Sequence, residues 1–279
     1  MDRAQHAIER PLLREPDSVS RPTPLSPALV YIGTLLQRSA AIFVVALIWE
    51  IAPRLGLVEP AFLPPLSEVL TTGWELIQNG QLMSHLAASL QRSLFGFSMA
   101  ILFAVPMGLA IGSSRRVEGF LFPLFEALRN TPALALLPVF ILILGIGESS
   151  KNALVIYACS WPILLNTISG VRGVDPLLIK SARTMGVTRL DMLRKVVLPA
   201  ALPTVFTGIR LAGANSLLAL VAAEMVGATA GLGYLIQYSQ YNFKIPHMYV
   251  GILAITVVGL VFARVLQWIE RRFTAWKAD

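Results

Sequence analysis

The stretch IKSARTMGVTRLDMLRKVVLPAALP, residues 179–203, packs Lys180, Arg183, Arg189, Arg194 and Lys195 into sixteen positions. Lysine and arginine at this density recognise anions or a polar partner surface; they supply neither a nucleophile nor a metal site. Other chemistry-bearing residues are sparse. His6, His85 and His247 show no metal-ligand spacing, and the single cysteine, Cys159, cannot close an intrachain disulfide. The hydrolase and zinc-protease patterns G-x-S-x-G and H-E-x-x-H do not occur. Neither does the phosphate-cradling G-x-x-x-x-G-K-[ST]; GIGESSK, 145–151, has the wrong spacing and no suitable helix behind it. No residue is a candidate for catalysis or for holding a metal. One further pair of charges stands out within apolar sequence, Arg210 and Glu224, fourteen residues apart. On a helix that spacing places them about 40° apart around the axis and about 21 Å apart along it. Gly213, Ala214 and Leu217 share their face.

The elements that must position these charges follow from composition. Of 279 residues 55% are hydrophobic and only 14% charged, where a soluble domain carries about 25% charged residues. The mean hydropathy is +0.67, which places the chain among membrane proteins. A span needs about 20 mainly apolar residues, and six stretches qualify: 39–58, 86–112, 119–146, 150–170, 200–226 and 247–269. Pro106, Pro132 and Pro138 predict kinks, with RNTPALALLP, 129–138, a bend rather than a loop. LPPLSEVLTTGWELIQNG repeats apolar residues at helical spacing and predicts an amphipathic surface helix between the first two spans. GATAGLGYLIQYSQYNF, 227–243, is too short to cross and predicts a re-entrant or interfacial turn. Residues 1–38 are polar and proline-rich, without a signal-peptide core, and predict a flexible tail. Residues 273–279 form a short second tail. With the N-terminus inside, sixteen lysines and arginines fall in cytoplasmic segments against three outside, which predicts both termini in the cytoplasm.

The basic stretch then lies inside, between two spans. Asp175 is a good N-cap with Pro176 at the first helical position. Leu178, Ala182 and Met185 predict an apolar stripe, Gly186 a left-handed stop, and Thr188 with Asp191 a second cap. Leu190, Leu193 and Val197 form a second stripe, after which Leu198-Pro199 returns the chain to the bilayer. Two short amphipathic helices docked on the bundle result, with a charged rim. A DNA-reading helix–turn–helix is excluded by the membrane tethers on both sides.

This stretch resembles the "EAA" loop of bacterial ABC-importer permeases, whose pattern is E-A-A, three residues, G, nine residues, I-x-L-P. Ala182, Gly186, Val196 and Leu198-Pro199 occupy matching positions, while Lys180 and Ser181 replace the first two residues of the pattern. FLPPLSEVL (62–70), HLAASLQRSLFGF (85–97), LRNTPALALLPVFILILGIGE (128–148), RLAGANSLLALVAAEM (210–225) and GLGYLI (231–236) extend the likeness to permeases for sulfonate, taurine, nitrate and bicarbonate uptake. The resemblance implies an all-α membrane protein, a six-helix type I importer permease with cytoplasmic coupling helices, its membrane domain over 39–272. It implies that loop 175–199 couples to two copies of a separate ATPase through Lys180, Ser181, Ala182, Gly186, Leu198 and Pro199. ATP and magnesium then belong to that ATPase, and this chain binds no cofactor. The other implied partners are an extracytoplasmic solute-binding protein, membrane lipid and a second permease copy, but no nucleic acid. Gly108-x-x-x-Gly112 is a candidate for close contact within a homodimer, or for packing inside one subunit. The implied location is the bacterial inner membrane; the solute is left open among sulfonate, taurine, nitrate and a pyrimidine-type precursor, a small anion being the favoured class. Within that frame the Arg210–Leu217–Glu224 face is expected either to line the translocation pathway at the dimer axis, with Arg210 favouring an anion and Leu217 in an apolar gate, or to leave Arg210 snorkelling to the cytoplasmic surface and Glu224 at the outer interface. The rival reading, an ion-gradient-driven secondary transporter, predicts two related halves, and the chain shows no such repeat.

Overall fold

A computed structural model describes residues 27–274, with side chains from 40 to 273, so most of the expected N-terminal tail and the last five residues lie outside it. The helices are α1 (Pro27–Arg54), α2 (Leu66–Gln78), α3 (Gln81–Gly112), α4 (Arg115–Arg129), α5 (Leu137–Leu144), α6 (Glu148–Arg172), α7 (Pro176–Thr184), α8 (Arg189–Asp191), α9 (Leu198–Met225), α10 (Leu232–Tyr241) and α11 (Ile245–Thr274). The described residues contain no strand. Helix α1 is described from Pro27, eleven residues before the expected end of the tail.

Among the described residues four helices are long and apolar enough to cross a membrane, five if α4 and α5 are one broken span. These correspond to the second to sixth expected spans; the first, 39–58, begins at the edge of the described side chains. The α4–α5 pair bends by 86° within the RNTPALALLP segment, where a 3₁₀ turn, Ala133–Leu136, follows Pro132. Proline disfavours helical geometry in the residue before it, so Thr131 ends the first half. Helix α10 is ten residues long, too short to cross.

The chain divides into two units, residues 1–49 and 50–279. In the first, the described part of α1 is apolar, with Ile42, Phe43, Val45 and Ile48 exposed. The second holds all the other helices around a core of Phe97, Ala100 and Ala104 on α3, Val155, Cys159, Ile163 and Leu164 on α6, and Ala212 and Leu220 on α9. Lipid tails are as apolar as leucine, so these helices gain little from hydrophobicity and are held by close packing and polar contacts. The α3–α6 seam shows how. A Cβ on Gly96 would lie 2.6 Å from Val155 Cγ1, one on Gly108 2.6 Å from Thr167 Cβ, and one on Gly112 2.9 Å from Val171 Cβ. Gly108 and Gly112 therefore serve contact inside the protomer and are not available to a second copy.

Candidate functional site

The basic loop is built as its caps predict. Asp175 Oδ1 accepts from the Leu177 N–H at 2.8 Å, and Pro176 opens α7. Gly186 takes φ 73° and ends the turn, a conformation that costs a residue with a Cβ roughly 1–2 kcal/mol. Thr188 Oγ1 accepts from the Asp191 N–H at 3.2 Å, and Lys195 Nζ lies 2.9 Å from Asp191 Oδ1. Leu198-Pro199 opens α9, and a π-helical turn, Met192–Val197, joins α8 to it with Pro199 in the first turn. Pro199 has no N–H to return to the preceding turn, and a widened turn absorbs such a mismatch without interrupting the helix. The apolar stripes are turned differently from expectation. Val197 and the partly buried Ile179, Met192 and Leu193 pack on Val171, Val174, Ala201 and Val205, and Ala182 is buried. Leu178 and Met185, expected to dock, are 51% and 82% exposed, and Leu177 and Leu190 join them outside. Lys180 and Ser181 are exposed beside them. The loop is fastened by Ile179, Met192, Leu193 and Val197 and presents Leu177, Leu178, Met185 and Leu190 outward.

The expected pathway face is buried over part of its length. Glu224 is 1% exposed, and Leu217 is buried with its Cδ1 3.6 Å from where a Cβ on Gly259 of α11 would lie. Gly213 is closed by Leu266, and Arg210 Nη1 binds Glu270 Oε2 of α11 at 3.0 Å. Leu217 and Glu224 are turned into the protomer, whereas the Arg210 side chain is 42% exposed and Ala214, expected on the same face, is exposed. The open side carries Leu211, Ala214 and Leu218, with Asn215 half-buried. A helix apolar all round carries no pattern that tells its buried face from its open one.

Glu224 instead organises a buried polar cluster at the end of the bundle opposite the loop. Arg92 Nη1 lies 2.7 Å from Glu224 Oε1, and Arg92 grips Glu148 with two bonds of 2.5 and 2.8 Å. Ser89 Oγ donates to Glu224 at 2.8 Å. The first N–H groups of a helix have no internal partner, and here α10 brings them to side chains. Gly231 N–H meets His85 Nδ1 at 3.2 Å, Leu232 N–H meets Ser89 Oγ at 2.8 Å, and Gly233 N–H meets Glu224 Oε2 at 3.0 Å. The carboxylate thus lies at the positive end of the α10 dipole. Only glycine fits: a Cβ on Gly231 would lie 2.3 Å from the Glu224 carboxyl carbon, and one on Gly233 2.4 Å from the Val221 carbonyl oxygen. Sequence reasoning missed Ser89, Arg92, Glu148 and the two glycines. The available signal was a charge inside each of two spans, Arg92 and Glu224, with G-L-G shortly after the second. Lys151, expected outside, is 4% exposed, and its Nζ donates to the Gly147 carbonyl at 3.2 Å.

A third feature lies at the α4–α5 bend, a groove of about 460 Å³ bordered by Arg129, Asn130, Thr131, Tyr157, Trp161, Asn215 and Leu218 among others. The carbonyls freed by the break are taken by side chains: Tyr157 Oη donates to Leu128 O at 2.6 Å, Asn130 Nδ2 to Glu126 O at 2.8 Å and Thr131 Oγ1 to Ala127 O at 3.1 Å.

A bundle of membrane-crossing helices with a broken span, a rigid loop clamped at one end and a buried ionic cluster at the other defines a multi-pass membrane permease. The chain belongs to the family of binding-protein-dependent transport system inner membrane components, whose sequence profile matches residues 93–275. It is similar to the taurine transport system permease protein TauC of Escherichia coli (strain K12), with 35% identity over 237 residues, 83% of this chain and 86% of that protein. The putative aliphatic sulfonates transport permease protein SsuC of Bacillus subtilis (strain 168) is 36% identical over 234 residues, 84% and 85% of the two chains. The bicarbonate transport system permease protein CmpB of Synechococcus elongatus (strain ATCC 33912 / PCC 7942 / FACHB-805) is 34% identical over 66% of each. In fold, the chain is similar to a permease of the MetNI methionine ABC transporter in an inward-facing conformation, with a TM-score of 0.60 at 20% identity, over 67% of this chain and 93% of that one. An amino acid ABC transporter matches with a TM-score of 0.56 at 21% identity, over 71% and 96%. The chain is a permease component of an ABC importer, and the secondary-transporter reading is not favoured.

Proposed function

We propose that the chain forms the translocation pathway of an ATP-driven importer for a small anionic solute of the sulfonate, taurine or nitrate type, and that loop 175–199 couples it to a separate ATPase. On this reading it is a non-catalytic subunit that binds no cofactor, working as a homodimer with two ATPase copies and an extracytoplasmic solute-binding protein. Both termini face the cytoplasm, with a membrane domain over 39–272 between two tails. The solute class is supported by the names of the relatives, which transport taurine, aliphatic sulfonates and bicarbonate; each carries an anionic head. The topology is supported by the sixteen-to-three distribution of basic residues.

The observation that carries coupling is the exposure of Leu177, Leu178, Met185 and Leu190 on a loop whose Ile179, Met192, Leu193 and Val197 pack on the bundle. Large apolar side chains on a capped, charge-rimmed knob are suited to a cleft on a soluble partner. Lys180, Ser181 and Gly186 lie on that exposed side, and Leu198 and Pro199 join the knob to α9. The test is Gly186→Val in the assembled importer. A Cβ there meets nothing within 4 Å, so the strain at φ 73° tilts the loop without damaging the bundle. Solute-stimulated ATP hydrolysis and uptake fall together while the permease reaches the membrane in normal amount; undiminished transport by this variant removes the loop as coupler.

A further inference from the structure

We propose that the groove at the α4–α5 bend is the contact site for the anionic head of the transported solute within the membrane, a statement that rests on the anion-importer reading above. Backbone that leaves the helix at membrane depth is stable only where protein buries it or where it lines a water-filled cavity, and secondary transporters show that interrupted helices can hold a solute there. The groove runs along the break, bordered by Asn130, Thr131, Pro132, Ala133 and Leu134. Its walls on α6 and α9 include Trp161, near the middle of Glu148–Arg172, and Asn215, near the middle of Leu198–Met225. The break is built to persist, since side chains of Tyr157, Asn130 and Thr131 hold the freed carbonyls of α4.

The lining has the chemistry of an anion site. Arg129 brings a positive charge to the rim, balanced by Glu126 at 2.7 Å, and both side chains remain about two-fifths exposed, at 42% and 41%. An entering sulfonate or carboxylate finds there a guanidinium with donors to spare. The half-buried amide of Asn215 borders the groove as a further donor, and the indole N–H of Trp161, buried in the wall behind it, has no hydrogen-bond partner among the described residues. Buried polar groups are nearly always paired, so an unpaired donor beside a groove marks a place for an acceptor. The volume, about 460 Å³, is of the size that holds a small ligand, and Leu218 with the Trp161 ring supplies an apolar wall for an alkyl tail.

The test places a cysteine at Asn215 in the assembled importer and compares two thiol reagents of similar size. Sulfonatoethyl methanethiosulfonate is an anionic alkylsulfonate; trimethylammonioethyl methanethiosulfonate is its cationic counterpart. Native Cys159 is buried, and the unsubstituted importer gives the background. After correction for reactivity with a free small thiol, the anionic reagent modifies Asn215→Cys about tenfold faster than the cationic one, and saturating taurine or bicarbonate slows it. Thr131→Cys, across the groove, gives the same preference and serves if Asn215→Cys does not assemble. Equal rates for the two reagents, or a faster cationic reagent, overturn the site. Uptake is read separately: an unsubstituted importer that accumulates no taurine, alkylsulfonate or bicarbonate overturns the solute class, whereas uptake without the labelling preference overturns only the groove.

Discussion

Arg92 has two carboxylate partners in different surroundings, and this makes the buried cluster open to a quantitative test. The Glu224 side chain is fully buried and Glu148 is 58% exposed. Removing the buried partner in Glu224→Ala leaves Arg92 Nη1 with only the Ala230 carbonyl at 2.6 Å on that side, and it strands the Gly233 N–H and the Ser89 hydroxyl. Breaking a buried pair of this kind costs about 3–5 kcal/mol. Removing the exposed partner in Glu148→Ala costs about 1 kcal/mol or less, because water replaces it. At about 2 °C per kcal/mol for a chain of this size, Glu224→Ala lowers the unfolding midpoint of the detergent-solubilised importer by roughly 6–10 °C, and Glu148→Ala by roughly 2 °C or less. Glu224→Gln falls between them: it keeps the volume and one acceptor oxygen but turns an amide N–H₂ toward donors. Amide exchange adds a local readout, because the Gly233 N–H loses its acceptor only in the Glu224 variants. Equal shifts for Glu224→Ala and Glu148→Ala would falsify the assignment of the cluster as the clamp that holds α10.

Other outcomes follow from the same geometry. Gly231→Ala places a methyl against the Glu224 carboxylate at a backbone φ of 129°, and should weaken α10 docking by about 1–3 kcal/mol from strain alone, seen as faster proteolysis within 226–244. Gly96→Val meets Val155 across the α3–α6 seam and should abolish accumulation of folded permease in the membrane, whereas the same change at exposed Gly119, which faces open space, should not. Cysteines at Glu59 and Lys244, both exposed, should react with an impermeant reagent from outside and one at Arg115 should not; the reverse pattern inverts the topology. Lys151→Cys is buried and should label from neither side.

What the sequence revealed and what it hid divide along one physical line. Asp175, Gly186 and Thr188 act within a turn of themselves, through a cap, a positive φ and a short side-chain bond, so their roles were legible from spacing. Pro132 likewise marked the bend. The facing of α9 was not legible: Leu217 and Leu218 are both leucine in an apolar span, yet one is 9% and the other 71% exposed. In water the polar face of a helix declares which side is out; in lipid it does not. The Glu224 cluster was hidden for a different reason. Its members Ser89 and Arg92 are 135 and 132 residues from Glu224, and no local pattern couples such distant positions. The glycines that admit them, Gly231 and Gly233, stood in the quoted GLGYLI segment without any sign of what they made room for.

Helix α9 connects the two ends of this arrangement. From Arg189 through the π-helical turn to Met225 it is continuous over 37 residues, about 55 Å at 1.5 Å per residue. One end is the loop where, as proposed, ATP-driven motion enters; the other carries Glu224, clamped to α3 and, through Arg92, to α6. A rod fixed at its far end and pushed at its near end bends at its weakest place. That place is Met192–Val197, where the hydrogen-bond ladder is widened and two prolines, Pro199 and Pro203, remove donors just beyond it. Displacement of the loop is then absorbed in part by this turn and passed on in part to mid-α9, where Asn215 and Leu218 border the groove. A variant that straightens the turn, Pro199→Ala, should therefore raise the motion delivered to the groove, and the rate at which Asn215→Cys is labelled should respond more strongly to ATP in that background. An unchanged response to ATP would mean that α9 moves as a rigid body from end to end, with the bend in α4–α5 alone opening the groove.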